Sequence, residues 1–335
     1  LETNASPVLN LAYVQGCNLK CRCCDAWKFK TEFAPGLHLA LRNAIHSYSH
    51  LYPNGRVIFS GGEPLLDPEI HTLVREASQA GLRPQLVTNG ILLSEEKLKE
   101  LIEAGLTHLT LPLEGVSSVI HDEIRETRSK SSHHAVVKKI LDTMLQSIKI
   151  PVHINTIISG VNLEGILDLQ TYCDSHPGIR AVNYSLIMPA FRQGVDHADN
   201  YAMDSPVYHQ LGIKELDSAQ RILEQLITLK RDGSGIDNSL EQIDAYKRWL
   251  EGKERAFPLN CTVHRNAYII KEKGELFHCQ YFQSIGNIVE NTLDELLSMP
   301  LYQKHCQFIT ECKKVCHLRL NCFYESRSAE FYSFS

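Results

Sequence analysis

Cys17, Cys21 and Cys24 follow the first strand-like segment in a Cys-x3-Cys-x2-Cys run. Three thiolates at this spacing fit two chemistries. Cys-x2-Cys is half of many zinc sites, where four ligands close a tetrahedron. Alternatively, three thiolates hold three irons of a four-iron cluster and leave the fourth open to a small molecule. Further along, Gly61-Gly62-Glu63-Pro64 follows a second strand-like run, Val57-Ile58-Phe59. Its glycines let backbone approach a ligand closely, and its carboxylate and exposed carbonyls can accept from an ammonium group. Thr88-Asn89-Gly90, Glu114-Gly115 and the stretch from Asn155 to Gly160 end three later strand-like runs.

For these groups to meet, the elements carrying them must place their ends on one face. The hydrophobic pattern supplies such elements by alternating short β-rich runs with helical stretches, the form of repeated strand–helix units. Strands are predicted near 8–15, 56–60, 83–88, 107–113, 151–158 and 180–187. Helices are predicted near 36–51, 68–81, 94–104, 132–147, 162–176 and 206–232, with Ser94 as a capped start. A full barrel needs eight units. Six, followed by one long helix and the break Asp232-Gly233-Ser234-Gly235, predict an α/β partial (β/α)6 barrel over 1–235. Residues 236–335 are then a linker helix and a small cysteine-rich domain.

Composition narrows the classes. The 335 residues are 43% hydrophobic and 22% charged, an ordinary globular balance. A formal net charge of -5 offers no basic field for nucleic acid, and no apolar run approaches the roughly 18 residues of a membrane span. No charged n-region with an apolar core opens the chain, so a cytoplasmic location is expected. Eleven cysteines without a secretory signal argue for metal or redox use over disulfides.

Together, Cys17-x3-Cys21-x2-Cys24, Gly61-Gly62-Glu63-Pro64 and Thr88-Asn89-Gly90 resemble the radical S-adenosylmethionine (SAM) superfamily over residues 8 to about 190. The resemblance implies that Cys17, Cys21 and Cys24 ligate a [4Fe-4S] cluster whose open iron chelates SAM. It makes Gly61, Gly62, Glu63 and Pro64 the methionine-binding loop, with Thr88 and Asn89 beside it and Glu114 and Asn155 as ribose contacts. An external one-electron reductant such as flavodoxin or ferredoxin is implied, as is a 5′-deoxyadenosyl radical that abstracts hydrogen from substrate carbon. One departure is Cys23, at a position usually aromatic in the family; it reads as a small buried side chain or a spare ligand.

The tail carries a second resemblance. Cys261, Gly274 and Cys279, spaced by twelve and four residues, are similar to the opening of the SPASM and shorter twitch domains, which bind auxiliary iron–sulfur clusters. The text from Ala267 to Leu276 reads as a two-stranded hairpin with a charged turn, and a helix follows near 292–298. Downstream, Cys312-x3-Cys316-x5-Cys322 departs from the family pattern: Ser326 stands where the next ligand belongs, and Cys306 is additional. One auxiliary [4Fe-4S] cluster is expected on Cys261, Cys279 and two of the later four, with Cys316 and Cys322 the leading choices and Cys306 and Cys312 the alternatives. Six cysteines serve two clusters only if a non-cysteine ligand or an open iron completes the set. A structural zinc ribbon is the competing account.

Other residues are read more plainly. His133-His134 at a helix start is expected to face solvent, and Cys173 to be a buried inert thiol. Arg192, Asp196 and His197, on a long polar loop, compete between substrate contact and surface charge. The functional expectation is a radical SAM enzyme performing oxidation, epimerisation or bond formation on a peptide, with a sugar or aminocyclitol as the alternative. The other class is a non-catalytic metal-binding protein.

Overall fold

The computed structural model describes residues 7–188, 206–252, 261–279, 282–312 and 316–322; Arg192, Asp196, His197 and Ser326 lie outside them. The strand–helix alternation is realised as β1 (Val8–Val14), α1 (Leu37–Leu51), β2 (Arg56–Gly61), α2 (Ile70–Gln79), β3 (Arg83–Val87), α3 (Glu95–Glu103), β4 (His108–Pro112), α4 (Ser118–Ile124), α5 (His133–Lys139), α6 (Leu145–Ser147), β5 (Val152–Ile158), α7 (Ile166–Ser175) and β6 (Ile179–Leu186). Then come α8 (Pro206–Leu211), α9 (Leu216–Arg231), α10 (Leu240–Leu250), α11 (Val263–Asn266), β7 (Ala267–Lys271), β8 (Glu275–Phe277), β9 (Gly286–Asn287), α12 (Leu293–Ser298), α13 (Pro300–Thr310) and α14 (His317–Cys322).

Local chemistry accounts for several boundaries. Ser94 accepts from Lys97 N at 3.1 Å and caps α3 as predicted. Thr292 and Glu295 form a reciprocal capping box at the start of α12. The predicted continuous helix over 206–232 is instead two helices, α8 and α9. Gly160 N donates to Leu211 O at 2.8 Å, so the carbonyl ending α8 is spent on the loop after β5 rather than on helix continuation.

The chain divides into two compact units. The first comprises Leu1–Asn18, Ala26–Thr110 and Thr262–Cys312. Its strands follow the order β4-β3-β2-β1-β7-β8-β9, with parallel pairing from β4 across to β7 and antiparallel pairing of β7 with β8 and β8 with β9. β1 is central, and Leu9, Leu11, Tyr13 and Val14 are fully buried, as expected of a strand covered on both faces. The predicted tail hairpin is present as β7 and β8. Its first strand does more than the sequence indicated: Val8 lies opposite Ala267 and Leu11 opposite Ile270, so the tail covers the open edge of β1.

The second unit comprises Leu19–Asp25, Leu111–Cys261 and Lys313–Ser335. Here β5 and β6 pair in parallel, Ile154 opposite Val182 and Ile158 opposite Leu186. Leu113 at the end of β4 donates to Asn155 O at 3.2 Å. Among the described residues the run ends at β6, whose outer edge meets one parallel bridge between Val182 and Ile236.

Candidate functional site

In the first unit the Gly-Gly-Glu-Pro loop grips the backbone that leads into Cys17. Gly62 N donates to Val14 O at 2.6 Å and Glu63 N to Gly16 O at 2.9 Å. A Cβ on Gly62 would lie 2.6 Å from Gln15 O and closer still to Gly16 O, and Gly61 has φ +122°, a backbone open to glycine. The two glycines therefore serve first to let one backbone lie against another.

Glu63 is fully buried and holds three donors of its own chain. Its Oε1 accepts from Leu65 N at 3.0 Å and Thr88 Oγ1 at 2.6 Å, and its Oε2 from Asn89 N at 2.8 Å. The carboxylate that the sequence offered to an ammonium group is a staple joining two loops. Burial raises its pKa, and the hydrogen bonds from Thr88, Asn89 and Leu65 oppose that rise. Asn89 turns its amide toward the cysteine loop, with Nδ2 2.7 Å from Asn18 Oδ1 and 3.5 Å from Cys17 Sγ. Asn18 Nδ2 is buried and finds no acceptor among the described residues.

In the second unit Cys21 is 7% exposed, Cys23 is half-buried and Cys24 is exposed. Burial pushes the Cys23 thiol up, with Arg125 working in the opposite direction. Glu114 is fully buried. Arg125 Nε donates to its Oε1 at 2.6 Å and Ile157 N to its Oε2 at 2.8 Å, while Asn162 Nδ2 donates to its backbone oxygen at 2.9 Å. Burial works against the Arg125 charge, but Glu114 and the thiols of Cys21 and Cys23 outweigh it and raise its pKa. Asn155 Oδ1 accepts from Asn183 Nδ2 at 3.1 Å. Both expected ribose contacts are thus tied into the fold.

His121 and His133 form a buried pair behind Glu114. His121 Nδ1 accepts from Glu114 N at 3.1 Å, which leaves Nε2–H to donate to His133 Nδ1 at 2.7 Å. Burial, then His133, hold the His121 pKa down at about 2. The expectation that His133 faces solvent is therefore corrected; it is fully buried. Cys173 is the buried thiol expected, pushed up to about 12 by burial.

Residues 11–173 match the family model described as the Radical SAM superfamily. The chain carries a radical SAM domain. Among curated relatives, the AdoMet-dependent heme synthase of Methanosarcina barkeri is 32% identical over 166 residues, covering 49% of this chain and 46% of that one. The PqqA peptide cyclase of Bradyrhizobium diazoefficiens is 27% identical over 172 residues, covering 51% and 41%. The chain thus spans under half the length of these relatives. Its fold is similar to a solved structure of anSMEcpe with bound AdoMet and Cp18Cys peptide, at 18% identity and TM-score 0.65, covering 98% of this chain and 91% of that chain.

The donor set of the radical SAM domain fits a sulfide-rich, anionic group. In the first unit Asn89 Nδ2 lies 3.5 Å from Cys17 Sγ, and the buried Asn18 Nδ2 has no acceptor among the described residues; in the second unit Arg125 Nη1 lies 3.9 Å from Cys21 Sγ. In the tail, the first unit holds Cys279 after β8, Cys306 on α13 and Cys312 just beyond it. The second unit holds Cys261 before α11, and Cys316 and Cys322 at the two ends of α14. Among the described residues no three His, Cys, Asp or Glu side chains are gathered around a single-ion position. His278 Nε2 and His305 Nδ1, each next to a tail cysteine in sequence, are buried without a hydrogen-bond partner among the described residues.

The sequence reading missed Arg125, His121, Asn162 and Asn18. Each acts through a hydrogen bond to a candidate residue, and none lies in a spaced motif. The available signal was position alone: Asn18 abuts Cys17, and His121 and Arg125 follow Glu114 within a dozen residues.

Proposed function

We propose that this chain is a radical SAM enzyme that modifies a peptide, with Cys17, Cys21 and Cys24 holding a [4Fe-4S] cluster and SAM at its remaining iron. The observation that carries the reading is the clamp of Gly61–Glu63 on Val14–Gly16, which fixes the methionine-binding loop of the resemblance against the cysteine loop. When bound, cluster and SAM supply a carbon-centred radical able to abstract hydrogen from an unactivated C–H bond. The chain's own residues do the positioning. Glu63 joins the Gly-Gly-Glu-Pro turn to Thr88 and Asn89, and in doing so leaves the Gly61 and Gly62 backbone to meet the ligand amine. Asn89 and Arg125 stabilise thiolate charge, while Glu114, held by Arg125, Ile157 and Asn162, shapes the end of β4, where Asn155 lies on the paired strand.

Residues 1–235 supply this chemistry in the proposal. Residues 236–335 supply an auxiliary [4Fe-4S] cluster on Cys261, Cys279, Cys316 and Cys322, with Cys306 and Cys312 in reserve. A peptide substrate is supported by the PqqA peptide cyclase among the relatives and by the fold shared with a peptide-bound neighbour. A second reading, a tetrapyrrole substrate, is favoured by the 32% identity to an AdoMet-dependent heme synthase. A ferredoxin or flavodoxin would deliver the electron.

Anaerobically reconstituted protein given dithionite and SAM is expected to release 5′-deoxyadenosine, and the Cys17→Ala/Cys21→Ala/Cys24→Ala variant to release none. Release persisting in the triple variant would remove the assignment. Iron and sulfide analysis separates the tail readings: about eight irons per chain match one auxiliary cluster, about twelve match two, and about four with zinc match a zinc ribbon.

A further inference from the structure

The segment from Leu19 to Arg22 runs antiparallel to Ile124–Thr127. Leu19 bridges Thr127, Lys20 N donates to Glu126 O at 2.8 Å, and Arg22 N donates to Ile124 O at 2.9 Å. In such a ladder the residue between two bonded positions faces its counterpart on the partner. Cys21 therefore stands opposite Arg125, and the side chains follow the backbone: Arg125 Nη1 lies 3.9 Å from Cys21 Sγ. The guanidinium is held from behind. Its Nε donates to Glu114 Oε1 at 2.6 Å, and the other carboxylate oxygen is engaged by Ile157 N, so Glu114 cannot turn away without breaking a second bond. Arg125 keeps only 15% of its side chain exposed, and Glu114 none.

We propose that Arg125 raises the reduction potential of the cluster ligated by Cys21, and that Glu114 tempers that effect by partly neutralising its charge. The proposal rests on the reading of Cys17, Cys21 and Cys24 as cluster ligands. Reduction adds one negative charge, shared among the irons, the sulfides and the cysteine sulfurs. A fixed cation donating to a ligand sulfur stabilises the reduced form more than the oxidised one, and hydrogen bonds to cluster sulfurs act in the same sense. Arginine suits the task because it stays protonated throughout the working pH range. Asn89, a neutral donor to Cys17, would act in the same direction but more weakly, since charge-assisted bonds are the stronger kind.

The test is an EPR-monitored redox titration of anaerobic, reconstituted full-length protein without SAM, following the reduced-cluster signal missing from the Cys17→Ala/Cys21→Ala/Cys24→Ala variant. Arg125→Gln is expected to lower the midpoint and Glu114→Gln to raise it. Each shift should correspond to roughly a tenfold change in the reduced-to-oxidised ratio at fixed potential, about 59 mV for one electron. Arg125→Lys keeps the charge and should fall between Arg125→Gln and wild type. Because Arg125→Gln leaves Glu114 charged and unpaired, the Glu114→Gln/Arg125→Gln pair is measured beside it; with iron content matching wild type it should still show a lowered midpoint. Unchanged midpoints in iron-replete Arg125→Gln or the double variant would overturn the proposal. So would shifts of the same sign in Arg125→Gln and Glu114→Gln, the pattern of a loosened loop. If wild type shows no signal that the triple cysteine variant lacks, the cluster reading falls and this inference with it.

Discussion

Replacing Glu63 by Gln separates a staple from a ligand contact, because the two roles predict different measurements. Gln preserves shape but offers one oxygen and one amide. With the oxygen at the Oε1 position it keeps Leu65 N and Thr88 Oγ1, and its amide then points at Asn89 N, donor against donor. The reversed orientation saves Asn89 and loses the Leu65 amide; the Thr88 hydroxyl can rotate away. At least one buried backbone N–H is therefore left without an acceptor, at a cost of about 1–3 kcal/mol. Glu63→Ala strands both amides and opens a cavity, so it should cost more, about 3–6 kcal/mol. The assay is chemical denaturation of the apo-protein, without iron or SAM. A double-mutant cycle with Thr88→Val should show coupling, as expected of residues in direct contact. Undiminished apo-protein stability in Glu63→Gln, together with weakened SAM binding, would refute the staple and restore the carboxylate to the ligand.

The same carboxylate has a pH signature. Burial raises its folded pKa, so the stability tied to its protonated form is complete below the ordinary carboxylate pKa and is lost as pH rises through the raised value. The difference in stability between wild type and Glu63→Gln should vary across that window and level off above it. His121 works in the opposite sense: with its folded pKa held at about 2, stability present above its ordinary value near 6.5 should fall as pH drops below it. His121→Gln should flatten that slope in acid denaturation. Truncation to His121→Ala orphans Glu114 N and should cost about 2–4 kcal/mol by denaturant midpoint. Gly62→Ala drives a Cβ into the Gln15–Gly16 backbone and should sharply reduce iron bound after reconstitution, read by iron analysis, with far-UV circular dichroism little changed.

Much of the fold was legible because its signals are local. Each of the six predicted strands lies within two residues of an observed one, since apolar runs between turn residues specify strands wherever both faces are covered. The helix over 206–232 was misread for a non-local reason: the carbonyl that ends α8 is claimed by Gly160, some fifty residues earlier, and no periodicity records that. His133 was misread in the same way, because its burial depends on His121 arriving from α4.

The sequence by itself singled out the candidate residues: three cysteines at ligand spacing, two glycines where backbones must touch, and polar ends on successive strands. Spacing along a chain is a covalent property, so it survives without any knowledge of the fold. Only the tertiary structure decided what each polar group does. Glu63 and Glu114 look alike in sequence as carboxylates at strand ends, and each turns out to be saturated by donors 2 to 43 residues away. Arg125 carried no motif at all, and it gained its place against Cys21 because two segments about a hundred residues apart pair in antiparallel register. Hydrogen-bond saturation and charge pairing depend on distances between atoms remote in sequence, and those distances come into being with the fold.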